Sequence, residues 1–187
     1  MAPPILVTGG TGTLGRLVVA RLRDAGHDVR VLSRHRRDGT DGVELVAGDL
    51  DSGEGVDAAV AGVEVVVHCA GASKGDEHKA RHLVRAASGA GVRHLVNVSV
   101  VGADRVPVVS GVDRAMFAYF ASKLAAERVV AGSGVPWTTL RATQFHQLMM
   151  TVARALAKLP VAPLPAGFRF QPVDAADVAD RLAELAL

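Results

Sequence analysis

Tyr119 and Lys123 stand four residues apart in MFAYFASKLAAERVV (116–130), a stretch that reads as a helix. Residues at i and i+4 share one helix face, and an ammonium beside a phenol favours the phenolate. The spacing suits a proton-transfer pair, and it equally suits two unrelated surface residues. Tyr119 is the only tyrosine in the chain.

A second chemical signal lies near the start, in ILVTGGTGTLGRLVVARL (5–22). Gly9, Gly12 and Gly15 fit G-x-x-G-x-x-G, while Gly10, Gly12 and Gly15 fit G-x-G-x-x-G. An apolar run precedes them and a helical pattern follows. Such a turn lets a diphosphate approach bare backbone, and the exposed N–H groups of the helix start, with its dipole, hold the phosphates. The expected contacts to a dinucleotide are Gly9, Thr11, Gly12, Thr13, Leu14 and Gly15. The competing reading is a tight connection with no ligand.

Two further stretches bear on which dinucleotide this would be. Enzymes that prefer NAD usually carry an acid at the end of the second strand, roughly 20 residues past the glycines. Here VRVLSRHRR (29–37) has Ser33 at that place, followed by Arg34, Arg36 and Arg37. A hydroxyl and a guanidinium donate to a 2′-phosphate that a carboxylate would repel, so NADP is expected in preference to NAD. A solvated basic turn is the alternative. In AGDLDS (47–52), Asp49 is placed to accept from an adenine amino group with the Leu50 backbone beside the ring, or to cap the next helix.

These residues need a scaffold that brings them to one edge. Short Val-rich runs, PILVT, DVRVLS, GVELVAG, VEVVVHC, HLVNVSV and PWTTLRA, alternate with longer Ala/Leu/Arg segments of helical periodicity. Repeated βαβ order implies a parallel, doubly wound α/β sheet with helices on both faces, whose ligands sit at the carboxyl ends of the strands. The final segment PVDAADVADRLAELAL reads as a helix capped by Asp174, with Asp177 completing an imperfect capping box.

Composition agrees. The 187 residues are 49% hydrophobic but only 4% aromatic, as expected of a Val/Leu/Ala core in one domain spanning 1–187. A net charge of +2 supplies no general field for nucleic acid or an anionic membrane. The single cysteine, Cys69, cannot form an internal disulfide, and no Cys/His spacing suggests a metal site. With no secretory leader pattern or spanning segment in view, a cytoplasmic protein is expected.

The stretches VTGGTGTLG, VRVLSR, AGDLDS, VVVHCAGAS, HLVNVSVVGADRVP, YFASKLAAE and VPWTTLRATQFHQL, in that order, resemble the atypical and extended short-chain dehydrogenase/reductase superfamily, and within it the NmrA-like NAD(P)-binding proteins. The resemblance implies a Rossmann-type fold and makes Tyr119 and Lys123 the YxxxK pair: the tyrosine exchanges a proton with the substrate oxygen, and the lysine holds the nicotinamide ribose. It also implies that Cys69, Ala70 and Gly71 pass the cofactor over the sheet edge.

Two departures stand out. The superfamily places a Ser or Thr just past the fifth strand; here Ser99 is the candidate, with Val101 where the hydroxyl often sits, an offset of roughly 6.6 Å along extended chain. Relatives also continue past the segment matching VADRLAELAL into a piece that helps cover the substrate. Gln144 and His146, after the sixth strand, are the substrate-side candidates, and helix capping or core packing is the other role open to His146. Arg141 reads as a structural ion-pair member.

Two functions follow: an NADPH-dependent oxidoreductase reducing a small-molecule carbonyl, or a catalytically weak NADP(H) sensor or regulatory protein. Neither a nucleic acid nor a membrane partner is expected, and self-association into a homo-oligomer is left open.

Overall fold

The computed structural model describes residues 2–34, 42–72, 75–106, 111–158 and 171–187, with side chains omitted at 111–117 and 152. Arg36 and Arg37 lie outside the described residues. In chain order the elements are β1 (Ile5–Thr8), α1 (Thr13–Asp24), β2 (Val29–Ser33), β3 (Val43–Ala47), α2 (Val56–Val60), β4 (Val65–His68), α3 (Asp76–Ala90), β5 (His94–Val100), α4 (Gly111–Ala131), β6 (Trp137–Ala142), α5 (His146–Leu156) and α6 (Ala175–Ala186).

All six strands pair in parallel, in the order β3-β2-β1-β4-β5-β6. The chain therefore winds outward in one direction from β1 to β3, then returns to the other side of β1 for β4. That reversal opens a crevice above the carboxyl ends of β1 and β4. The fold is the Rossmann-type α/β sheet expected from the alternation of strands and helices.

Strand residues alternate between faces and so feed two cores. Ile5, Val7, Val31, Val67 and Val96 pack with Val18 and Leu22 of α1 and Val178 and Leu182 of α6. Leu6, Val66 and Leu95 point the other way, onto Val56 and Val60 of α2, Leu83 of α3 and Val130 of α4. Apolar runs such as those of β3 and β6 suit buried strands, yet both are edge strands and only partly buried, with Trp137 45% exposed.

Polar residues interrupt the second face near the carboxyl ends. Thr8, His68 and Asn97 stand side by side in register on β1, β4 and β5, all buried. Buried polar groups need partners. The Thr8 Oγ1 and His68 Nδ1 are 2.6 Å apart, and Asn97 Nδ2 donates to Thr139 Oγ1 of β6 at 3.4 Å.

Candidate functional site

The glycine turn is built by sterics. Gly9 has φ +69°, in the left-handed region, and a Cβ there would meet the Ala70 backbone N at 2.6 Å. A Cβ on Gly15 would lie 2.1 Å from the Gly9 carbonyl oxygen. The strand, turn and first helical turn thus close on one another only without side chains. The Gly12 N–H donates to Gly9 O at 2.9 Å, and α1 begins at Thr13 with Gly12 as its cap and no side chain satisfying its first amides.

Beside this turn runs a cleft of about 410 Å³, lined by Gly9, Thr11 and Gly12, then Ser33 and Arg34, then Asp49, Leu50 and Asp51, with Cys69, Ala70, Gly71, Ala72 and Lys79 on its other wall. It sits over the β1/β4 crevice. Glycine backbone at one end and a guanidinium at the other, with no acid at the end of β2, form a cradle with room and donors for a diphosphate. The residues present fit a nicotinamide dinucleotide.

Of the expected cofactor contacts, Gly9, Thr11, Gly12, Ser33, Arg34, Asp49, Leu50, Cys69, Ala70 and Gly71 line this cleft. Thr13, Leu14, Gly15 and Lys123 are not part of its lining. Leu14 packs into the core below the turn. Asp49 Oδ1 accepts the Asp51 N–H at 2.9 Å, while α2 starts from Gly55, so Asp49 caps a turn and not the helix.

Cys69 is held in its thiol form, its pKa pushed up to about 12 by burial despite the nearby Lys123 ammonium. His68 is neutral for the same first reason: burial, helped by the Lys123 charge, lowers it to about 4.

Tyr119 and Lys123 do share a face of α4, with the Lys123 Nζ 5.8 Å from the Tyr119 ring centroid. Their environments differ sharply: Tyr119 is 40% exposed and Lys123 only 7%. The ammonium lies 2.9 Å from Asp76 Oδ2. A Cβ on Gly71 would come within 2.7 Å of it, so it lies against the cleft wall.

Ser99 is 4% exposed, and its Oγ has no hydrogen-bond partner among the described residues. Val101, two residues on, is 48% exposed. Gln144 and His146 are bound through their backbones to Val173, at 3.0 and 3.3 Å; the His146 side chain is exposed, and neither residue lines the cleft. Arg141 pairs with Glu127 and Asp104, the structural role expected of it, and these two acids raise its pKa.

Asp76 and Lys79 were not among the residues singled out in the sequence. Both lie on the first turns of α3, and Asp76 carries no motif around it. The available signal was their place just after the fourth strand. A larger open groove, about 920 Å³, runs between α3 and α4 past Arg81, Arg85 and Arg128, away from the strand ends. Among the described residues no group of His, Cys, Asp and Glu could hold a metal, and no helix is long and apolar enough to cross a membrane.

Known proteins bear on this geometry. The profile of a family described as NAD(P)H-binding matches residues 9–186. A (4-alkanoyl-5-oxo-2,5-dihydrofuran-3-yl)methyl phosphate reductase of Streptomyces griseus is 36% identical over 144 residues, 75% of this chain and 48% of that protein. A photosystem II assembly factor of Synechocystis sp. is 29% identical over 155 residues, 76% of this chain and 45% of that one. The chain spans about half the length of these curated relatives. An NADPH-dependent quinone oxidoreductase of Escherichia coli, solved with NADPH, superposes with a TM-score of 0.79 over 97% of this chain and 64% of its own, at 23% identity, a likeness of fold.

Proposed function

Because the chain belongs to the NAD(P)H-binding family, we propose that it binds NADP(H) and acts as a short-chain-type oxidoreductase on a small carbonyl compound. The observation that carries this is the continuous cleft from the glycine-rich Gly9–Gly12 turn to Ser33 and Arg34.

NADPH, when bound, supplies a hydride to the carbonyl carbon and leaves as NADP⁺. The chain's own residues do the rest. The glycine turn and the α1 amides bind the diphosphate. Ser33 and Arg34 donate to the 2′-phosphate, and Asp49 and Leu50 take the adenine. Lys123, against Gly71, holds the nicotinamide ribose. The Tyr119 hydroxyl gives its proton to the carbonyl oxygen as the alcohol forms, and its exposure lets solvent restore that proton.

Two measurements test this. Fluorescence titration is expected to give a lower Kd for NADPH than for NADH, with the preference lost in Arg34→Glu; equal wild-type affinities would end the NADP assignment. Across a carbonyl panel, Tyr119→Phe is expected to lower turnover by about 100-fold or more, the range of general acid catalysis, while NADPH affinity stays within about twofold. Turnover at the wild-type rate would remove Tyr119 from the reaction.

A second reading, an NADP(H) sensor or regulatory protein, is favoured by the Ser99 hydroxyl, without a hydrogen-bond partner among the described residues, and by Val101 where the resemblance often puts the catalytic hydroxyl. Its signature is NADPH binding without consumption of NADPH over the same panel.

A further inference from the structure

We propose that Asp76 is the positioning residue of Lys123: its carboxylate, and not Tyr119, fixes where the ammonium stands against the cleft wall. The inference rests on the cofactor reading above.

Asp76 is the first residue of α3 and 1% exposed. Three segments meet at it. Its Oδ1 accepts the Ala72 N–H at 2.7 Å, from the loop that forms the cleft wall. Its own N–H donates to Ser122 Oγ of α4 at 3.2 Å. Its Oδ2 faces Lys123 Nζ at 2.9 Å, an ion pair whose angles fall short of a hydrogen bond. On the other side Lys79 Nζ lies 3.9 Å from Oδ1 and 3.4 Å from Asp51 Oδ1. Charges of alternating sign, Asp51, Lys79, Asp76 and Lys123, therefore run from the exposed cleft edge to the buried lysine.

An ammonium as buried as Lys123 is costly without a counter-ion, and removing one member of such a pair leaves the other stranded. The Tyr119 ring at 5.8 Å is too weak a partner to hold it. The neighbouring His68 is neutral and adds no anion. Asp76 is thus the group that makes this position of the ammonium affordable, and it ties that position to the Gly71–Ala72 wall.

The test is a double-mutant cycle. Asp76→Asn keeps an acceptor for the Ala72 N–H and removes only the charge; Lys123→Met removes the ammonium. Wild type, both single variants and the double variant are titrated with NADPH and melted without it. Asp76→Asn is expected to weaken NADPH binding on the order of tenfold in the wild-type background and less than about twofold beside Lys123→Met, because neighbours in one network couple. The double variant is expected to melt above Asp76→Asn alone, or to fold where Asp76→Asn does not.

Equal losses of affinity in both backgrounds, or a double variant no more stable than Asp76→Asn, overturn the proposal. A wild type that binds no NADPH overturns the cofactor reading instead, and the melting cycle still judges the link between Asp76 and Lys123.

Discussion

His68 shows how a single buried side chain sets a response to acid. Its pKa falls from 6.5 to about 4, chiefly by burial, so between those values the unfolded chain binds a proton that the native one refuses. Stability therefore rises with pH across that window and is lost as pH falls from 6.5 towards 4, by roughly 3 kcal/mol if this group acts alone. Melting temperature followed from pH 7 to 4 should drop in the wild type and drop less in His68→Gln; parallel curves would remove His68 as a source of the acid sensitivity. Gly15 makes the steric counterpart. With the Gly9 carbonyl oxygen 2.1 Å from any Cβ, Gly15→Ala must push the turn apart. A cost of about 1–3 kcal/mol is expected in urea denaturation, together with loss of NADPH binding; a variant that folds and binds as the wild type does would show the turn to be looser than its geometry. Of the two residues, Gly15 was legible from spacing. His68 was not, because its burial comes from neighbours on other strands.

At the scale of elements, local signals marked boundaries well. Asp174 is the clearest case: its side chain accepts the Ala176 N–H at 2.9 Å, so α6 starts where the capping pattern put it. Asp174→Ala should cost about 1 kcal/mol of stability, measured by urea denaturation, while Asp174→Ser recovers most of it. No difference between the Ala and Ser variants would mean that packing alone fixes the start of α6. That packing is substantial, since Val178 and Leu182 meet the α1 face and Arg21 pairs with Asp180 across the two helices. Asp49 shows where a local signal stops. The pattern around it suits a cap of the next helix, and only the position of Gly55 ahead of α2 removes that role. The half-exposure of β3 and β6 was hidden for a similar reason: an apolar run looks the same at the edge of a sheet as at its centre.

For the whole molecule, the crevice above β1 and β4 makes ligand binding and folding one equilibrium. A cofactor that binds only the native chain stabilises it by about 2.7 kcal/mol at 100 times its Kd. NADPH should accordingly raise the melting temperature more than NADH at equal concentration, and no shift with either would count against a dinucleotide cleft. The sequence alone determined the alternation of strands and helices, the glycine-rich turn after β1 and the serine in place of an acid at the end of β2, because each depends on neighbours along the chain. Tertiary structure decided the rest. The strand order that opens the crevice, the pairing of Lys123 with Asp76, and the burial that keeps His68 neutral all join residues from separate elements. No local pattern encodes these contacts, since long-range packing selects them only when the sheet closes on its helices.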